Sequence, residues 1–426
     1  YQHSWSTTEG AFGLIVQTRP HLVAMVTILC TAFLISQFYR ASVGVLGPTF
    51  MAEMGLSAGM LGLLGGTYFI VFAVAQVPCG VLLDHYGPRL INTTLLMIAA
   101  AGAVIFALAT EPIMLAIGRG VIGLGCATCF MGTLVVFSRW FPPRRFPLMA
   151  AIASGVGGGG ALVATTPLAI TAEWLGWRGT FLFVSAITAL VAIMVWLLVR
   201  NAPPGKPFHE GPRETFTSAL RGVGEVARNR QLRLLLPLNT VSYGSIMVVL
   251  GLWGVPYLRD VHGLITVDAA HILMAMALSS MVGGLAYAWL APRLGSIKTL
   301  VLAGGSATAA IFVVFAILPP TDHYLLLLLL SLLGLAGSYP ILIVSHVRML
   351  APKRLVGRAL TLSNLFSFGG VGLLQLLSGW VIGFFTVTNG ARPPSAYSAL
   401  FWCVAGLAAV TVLIYVWIQD PDLEMT

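Results

Sequence analysis

The sequence predicts an all-α membrane protein, twelve transmembrane helices arranged as two pseudo-symmetric bundles of six. Three observations predict it. Only 9% of the 426 residues are charged and mean hydropathy is +0.92, whereas soluble domains carry about 25% charged residues. Twelve apolar stretches approach or exceed the roughly 20 residues that a hydrocarbon core about 30 Å thick requires of a helix. One long polar interruption, from Arg200 to Arg233, divides those stretches six and six.

In chain order the segments span 22–49, 58–82, 91–109, 112–138, 147–171, 179–199, 232–257, 268–290, 299–318, 324–349, 358–387 and 396–418. The first twenty residues lack the basic start, short apolar run and small-residue cleavage site of a secretory leader, so the first segment is expected to be kept. It ends at Pro48, and Arg40 is its only full charge. LLDHYGPR joins segments two and three, with Gly87 supplying a tight turn. Segments three, six, nine and twelve contain no Asp, Glu, Lys, Arg or His, as lipid-facing helices should. Segment four carries Arg119 and segment ten His346. GVGGGG in segment five reads as close helix packing rather than a phosphate loop, because no Lys or Ser/Thr follows in the required spacing. The five cysteines all lie in apolar segments, which argues against a disulfide framework. The expected division is a bundle over 1–200, a linker over 201–231 and a second bundle over 232–426.

Cytoplasmic loops are enriched in Lys and Arg. With both termini cytoplasmic, every basic residue lies inside except Arg178, Arg259 and Arg392 outside and Arg40 and Arg119 within the membrane. The net charge of +9 is then topological, and nothing points to nucleic acid. The halves also repeat. Pro48 and Pro256, and Gly87 and Gly295, are 208 positions apart, and FPPRRF aligns with LAPKRL at 209. Such internal symmetry is common in transporters.

GVLLDHYGPR, from Gly80 to Arg89, resembles the G-x-L-x-D-x-x-G-x-R signature between helices two and three of the major facilitator superfamily, and GRGVIGLG resembles its arginine-containing fourth-helix motif. FYR…GP in segment one is most similar to the organic-anion and organophosphate branches. The resemblance implies the major facilitator fold, a central cavity lined by helices 1, 4, 7 and 10, and substrate anion binding at Arg40. The sequence departs from those branches in Tyr39, where several acid symporters have aspartate, and in lacking a second arginine in segment seven.

An isolated charge at bilayer depth costs from ~2.5 to more than 10 kcal/mol, so an intramembrane arginine calls for a function and a partner. At 1.5 Å per residue, Arg40 lies about 14 Å and Arg119 about 10 Å below the outer membrane face. They are therefore candidates for a two-arginine anion clamp, with the bland alternative that Arg119 satisfies backbone carbonyls. All fourteen carboxylates fall in loops, tails or helix ends. None is expected to neutralise Arg40, and His346 is the titratable candidate for proton coupling, or else a helix cap. Further candidate substrate contacts are Gln37 beside Arg40, Tyr68 in a stripe with Phe72 and Gln76, Tyr243 and Asn364. Gly80, Asp84, Gly87 and Arg89 form a candidate gate.

The reading is a secondary transporter moving a small organic anion, a carboxylate or phosphate ester, by alternating access across the cell inner membrane. It is expected to be a monomer in the lipid bilayer, with no catalytic residues, cofactor or metal, and with protons as a candidate co-substrate. Alternatives are an exporter of drugs or metabolites, a copper transporter using Cys126, Cys129 and neighbouring methionines, and an anion sensor that moves nothing.

Overall fold

The computed structural model describes residues 20–204, 216–317, 322–387 and 391–420. Arg19, Lys206 and Arg213 of the charge pattern, and Glu9, Glu210, Glu214, Asp422 and Glu424 of the acidic inventory, lie outside the described residues. Among the described residues, twelve helices are long and apolar enough to cross a membrane. The first four are α1 (Pro20–Met54), α2 (Ala58–Tyr86), α3 (Pro88–Ala107) and α4 (Pro112–Trp140). Gly176, at φ 67° and ψ 163°, breaks the stretch Thr166–Leu198 into two. Consequently α5 runs from Phe146 through Val163 and on over 166–175, and α6 covers 177–198. The second half comprises α7 (Arg230–His262), α8 (Thr266–Leu294), α9 (Ile297–Ile317), α10 (His323–Leu350), α11 (Val356–Gly383) and α12 (Pro394–Tyr415). A short linker helix, Phe216–Ala227, precedes α7.

The outward sides of α3, α6, α9 and α12 expose large apolar residues, among them Met97, Phe183, Leu190, Ile317 and Leu413. These are the faces an apolar solvent would cover. Two helices break at nearly equivalent positions of the two halves. Residues 127–128 interrupt α4 and residues 337–339 interrupt α10, 210 positions apart. Backbone groups freed at membrane depth must be satisfied within the protein. Gln76 of α2 donates to Ala127 O at 3.2 Å, and Tyr287 of α8, the corresponding helix of the second half, donates to Ala336 O at 3.0 Å.

The halves meet through glycines. A Cβ at Gly62 or Gly66 of α2 would lie 2.7 Å from the Gln375 or Gly372 carbonyl oxygen of α11. At Gly44 of α1 it would lie 2.5 Å from Leu250 O, in the π-helical turn Val249–Trp253 of α7. Small residues permit this close approach of backbones. These contacts close the face opposite the linker. Toward the linker face, α2 and α11 bound a small cavity of about 160 Å³ lined by Gly80, Asp84, Gly357 and Arg358, with Val223 of the linker helix beside it.

Candidate substrate site

Arg40 is only 6% exposed, and no ion pair reaches it among the described residues. Aromatic rings do. Its Cζ lies 4.5 Å from the centroid of Phe72 on α2 and 4.8 Å from that of Phe368 on α11. Phe72 stacks on Tyr68, one helical turn away, at 6.0 Å and 15°. Tyr68 in turn lies 4.8 Å from Arg119 Cζ. Arg119, Tyr68, Phe72, Phe368 and Arg40 thus form one contiguous cluster of two cations and three rings across the join between the halves. Each such contact contributes about 0.5–2 kcal/mol. That offsets part of the burial cost and leaves the charge itself unbalanced.

The two arginines differ in what they touch. Arg119 is 0% exposed, donates from Nη1 to Tyr39 O at 2.6 Å, and is flanked by the Tyr68 ring. Tyr68 is itself held by a hydrogen bond from its hydroxyl to Ser36 O at 3.3 Å. Arg119 thereby fixes the carbonyl that immediately precedes Arg40. Its Nε and Nη2, like Arg40 Nε, are buried with no hydrogen-bond partner among the described residues.

A cavity of about 410 Å³ lies at mid-membrane, lined by Gln37 of α1, Gly158 and Ala161 of α5, Tyr243 and Met247 of α7, and Met281 of α8, among others. Gln37 is one turn from Arg40, and Tyr243 packs edge-on to Phe368 at 5.9 Å. Ile341 also borders a larger cavity of about 760 Å³ toward the linker face, where Arg348 and Ser345 line the wall. Asn364 lies one turn from Phe368 toward that face and is half-buried.

His346 is elsewhere. It is buried against α12, its Nδ1 accepting from the Tyr415 hydroxyl at 2.5 Å and its Nε2 donating to Gln419 O at 3.0 Å. This stitches α10 to the end of α12. His346→Gln is therefore expected to lower stability by about 1–2 kcal/mol, read as a drop in melting temperature, and to leave the pH profile of uptake unchanged. Loss of proton-driven accumulation in that variant would return His346 to the transport cycle.

The other gate candidates separate as well. Gly87 turns at φ 84° with Asn201 against it. Arg89 stacks 4.4 Å over Trp196 and donates from Nε to Trp196 O at 2.7 Å, tying α3 to α6. Asp84 is exposed at the small linker-face cavity beside Gly80, with no ion pair among the described residues. Phe368 is the site residue that sequence reasoning did not find, because one phenylalanine in SNLFSFGG looks like any other apolar helix residue.

Comparison with known proteins agrees with this architecture. The sequence profile described as Major Facilitator Superfamily matches residues 28–347. The chain is 27% identical over 358 residues to a gentisate transporter of Corynebacterium glutamicum, covering 80% of this chain and 78% of that protein. It is 27% identical over 292 residues to a probable nitrate/nitrite transporter, NarK2, of Mycobacterium tuberculosis, covering 66% and 69%. Among solved structures, a bacterial homolog of the human lysosomal transporter Spinster, inward-facing and unoccupied, superposes with a TM-score of 0.71 at 18% identity over 94% of this chain and 95% of that one. With twelve spans and a family match over most of its length, this multi-pass membrane protein belongs to the Major Facilitator Superfamily.

Proposed function

We propose that this protein is a secondary transporter that carries a small organic anion across the inner membrane by alternating access, with Arg40 as the anion-binding residue and both termini cytoplasmic. The observation that carries the reading is a guanidinium buried at mid-membrane beside a cavity, held by aromatic rings and matched by no carboxylate among the described residues. Guanidinium forks fit carboxylate and phosphate oxygens. The relatives named above, a gentisate and a nitrate/nitrite transporter, support an anionic cargo. A neutral drug would give the buried charge no partner.

Uptake and counterflow in proteoliposomes, with radiolabelled carboxylates and phosphate esters, test this reading. Saturable counterflow of an organic anion is expected; uptake of neutral compounds alone would contradict it.

Asp84 supports the alternating-access part. It lines the linker-face cavity with Gly357 and Arg358, in the first turn of α11. Closing that cavity would bring its carboxylate to a helix N-terminus, where negative charge is stabilised by about 0.3–1 kcal/mol. The contact then favours only the conformer closed on the linker face. Asp84→Asn should shift the population toward the conformer open on that face, seen as faster maleimide labelling of a cysteine at Val135 from the linker side. Unchanged labelling would leave LLDHYGPR as a turn and nothing more.

A further inference from the structure

We infer that the Arg40 site selects a monoanion, a single carboxylate on an apolar body, over dicarboxylates, dianionic phosphate esters and polyhydroxylated acids. This rests on the reading of the protein as an organic-anion transporter and narrows its cargo.

Charge sets the first limit. No residue lining the 410 Å³ cavity is charged; Arg40 stands behind its wall, one turn from the lining residue Gln37 and against Phe368, on which the lining residue Tyr243 packs. Arg119 is no second anchor for this cavity: it has no exposed surface, its Nη1 is bound to Tyr39 O, Tyr68 covers it on one side, and its partnerless Nε and Nη2 are buried and line no part of the cavity wall. Arg348 lines the separate cavity toward the linker face. Arg40 thus meets the cargo with one positive charge, and a second negative charge in the same cavity has no cation to pair with. An ion left unpaired in an apolar surround bears its full desolvation cost.

Geometry sets the second. Phe72 and Phe368 lie 4.5 and 4.8 Å from Arg40 Cζ and 4.7 Å from each other, so both rings crowd the guanidinium from the same side. The N–H groups turned away from those rings are left for a ligand, and Nε is buried without a hydrogen-bond partner among the described residues. An edge of two parallel N–H groups matches the two oxygens of one carboxylate.

The walls set the third. Around the cavity, Ile246, Met247, Leu250, Met281 and the Tyr243 ring outweigh the polar Gln37, Ser280 and Ser338. A hydroxyl-rich acid would bury more polar groups than these can satisfy. The volume falls within the roughly 300–1,000 Å³ of small-molecule sites, enough for a single ring or a short branched chain.

Isothermal titration of the purified full chain with benzoate, cyclohexanecarboxylate, gluconate, phthalate, phenyl phosphate and neutral benzamide tests the inference. Benzoate and cyclohexanecarboxylate should bind, with gluconate, phthalate and phenyl phosphate at least tenfold weaker at pH ~7.5. Acidification below the second ionisation of phenyl phosphate, near pH ~6, should recover part of its affinity by removing one charge. Phthalate or phenyl phosphate binding as tightly as benzoate at pH ~7.5, or no binding of either apolar monocarboxylate, overturns the inference. Arg40→Gln separates the two levels of the claim. If dianions bind well and lose affinity in Arg40→Gln, the selectivity fails while the anion-transporter reading stands. If benzamide matches benzoate and Arg40→Gln changes nothing, both fall.

Discussion

Arg40→Gln is expected to abolish anion transport, lowering kcat/KM in proteoliposomes by about 100-fold or more while the protein still folds. Removing one partner of a buried, hydrogen-bonded charge pair costs about 2–5 kcal/mol, and each 1.4 kcal/mol is about tenfold. The change also removes an uncompensated intramembrane cation, so melting temperature should hold or rise. That opposite movement of stability and activity marks a functional charge rather than a structural one. Arg40→Lys keeps the charge but loses the planar fork and its close contact with Phe72 and Phe368. It should retain weak binding and transport at least tenfold more slowly. Unchanged kinetics in Arg40→Lys would sink the fork geometry and leave a simple point charge.

Gly44→Val should block closure of the face opposite the linker. Its Cβ would meet Leu250 O at 2.5 Å and Gly251 C at 2.8 Å, both backbone, so no side chain can swing away to make room. Overpacking of this kind costs about 1–3 kcal/mol. It falls only on the conformer in which α1 and α7 touch, so the population should move several-fold to a hundred-fold toward the alternative conformer. The measurement is labelling of a cysteine at Met247 by an impermeant maleimide added from the face opposite the linker, with the native cysteines replaced. Labelling should rise and transport should fall, while size-exclusion behaviour stays that of a folded monodisperse protein. Wild-type turnover in Gly44→Val would mean that this contact is not part of the seal.

Much of the fold was legible because bilayer physics writes it plainly. Uncharged stretches of sufficient length marked the spans, whereas the breaks at 127–128 and 337–339 had no signal in segments read as continuous, although they too fall close to the offset between the halves. Helix ends were less legible. Segment five was expected to stop at 171 and segment six to start at 179, whereas Gly176 alone makes the corner.

At the site, Arg40 stood out as an unexplained charge, and the Tyr68 and Phe72 spacing gave one side of its sleeve. Phe368, which packs against both Phe72 and Arg40, comes from a helix nearly 300 positions further on, and no local pattern distinguishes a ring that covers a cation from one that fills a core. For Arg119 the sequence left backbone carbonyls open as the alternative to a clamp, and for His346 a helix cap, without deciding between them. Arg119 donates to the backbone carbonyl of Tyr39, and His346 to that of Gln419. Every residue has a carbonyl, so such partners leave no mark in a sequence.

The central claim is that the cargo anion completes the charge of Arg40. A structure of the wild-type protein with 4-bromobenzoate bound measures it most directly, the bromine fixing the orientation by anomalous scattering. The account predicts the carboxylate on the Arg40 N–H groups turned away from Phe72 and Phe368, with the bromine in the cavity toward Tyr243 and Met281. A carboxylate seated on Arg119, Arg348 or His346, with Arg40 unengaged, would contradict it.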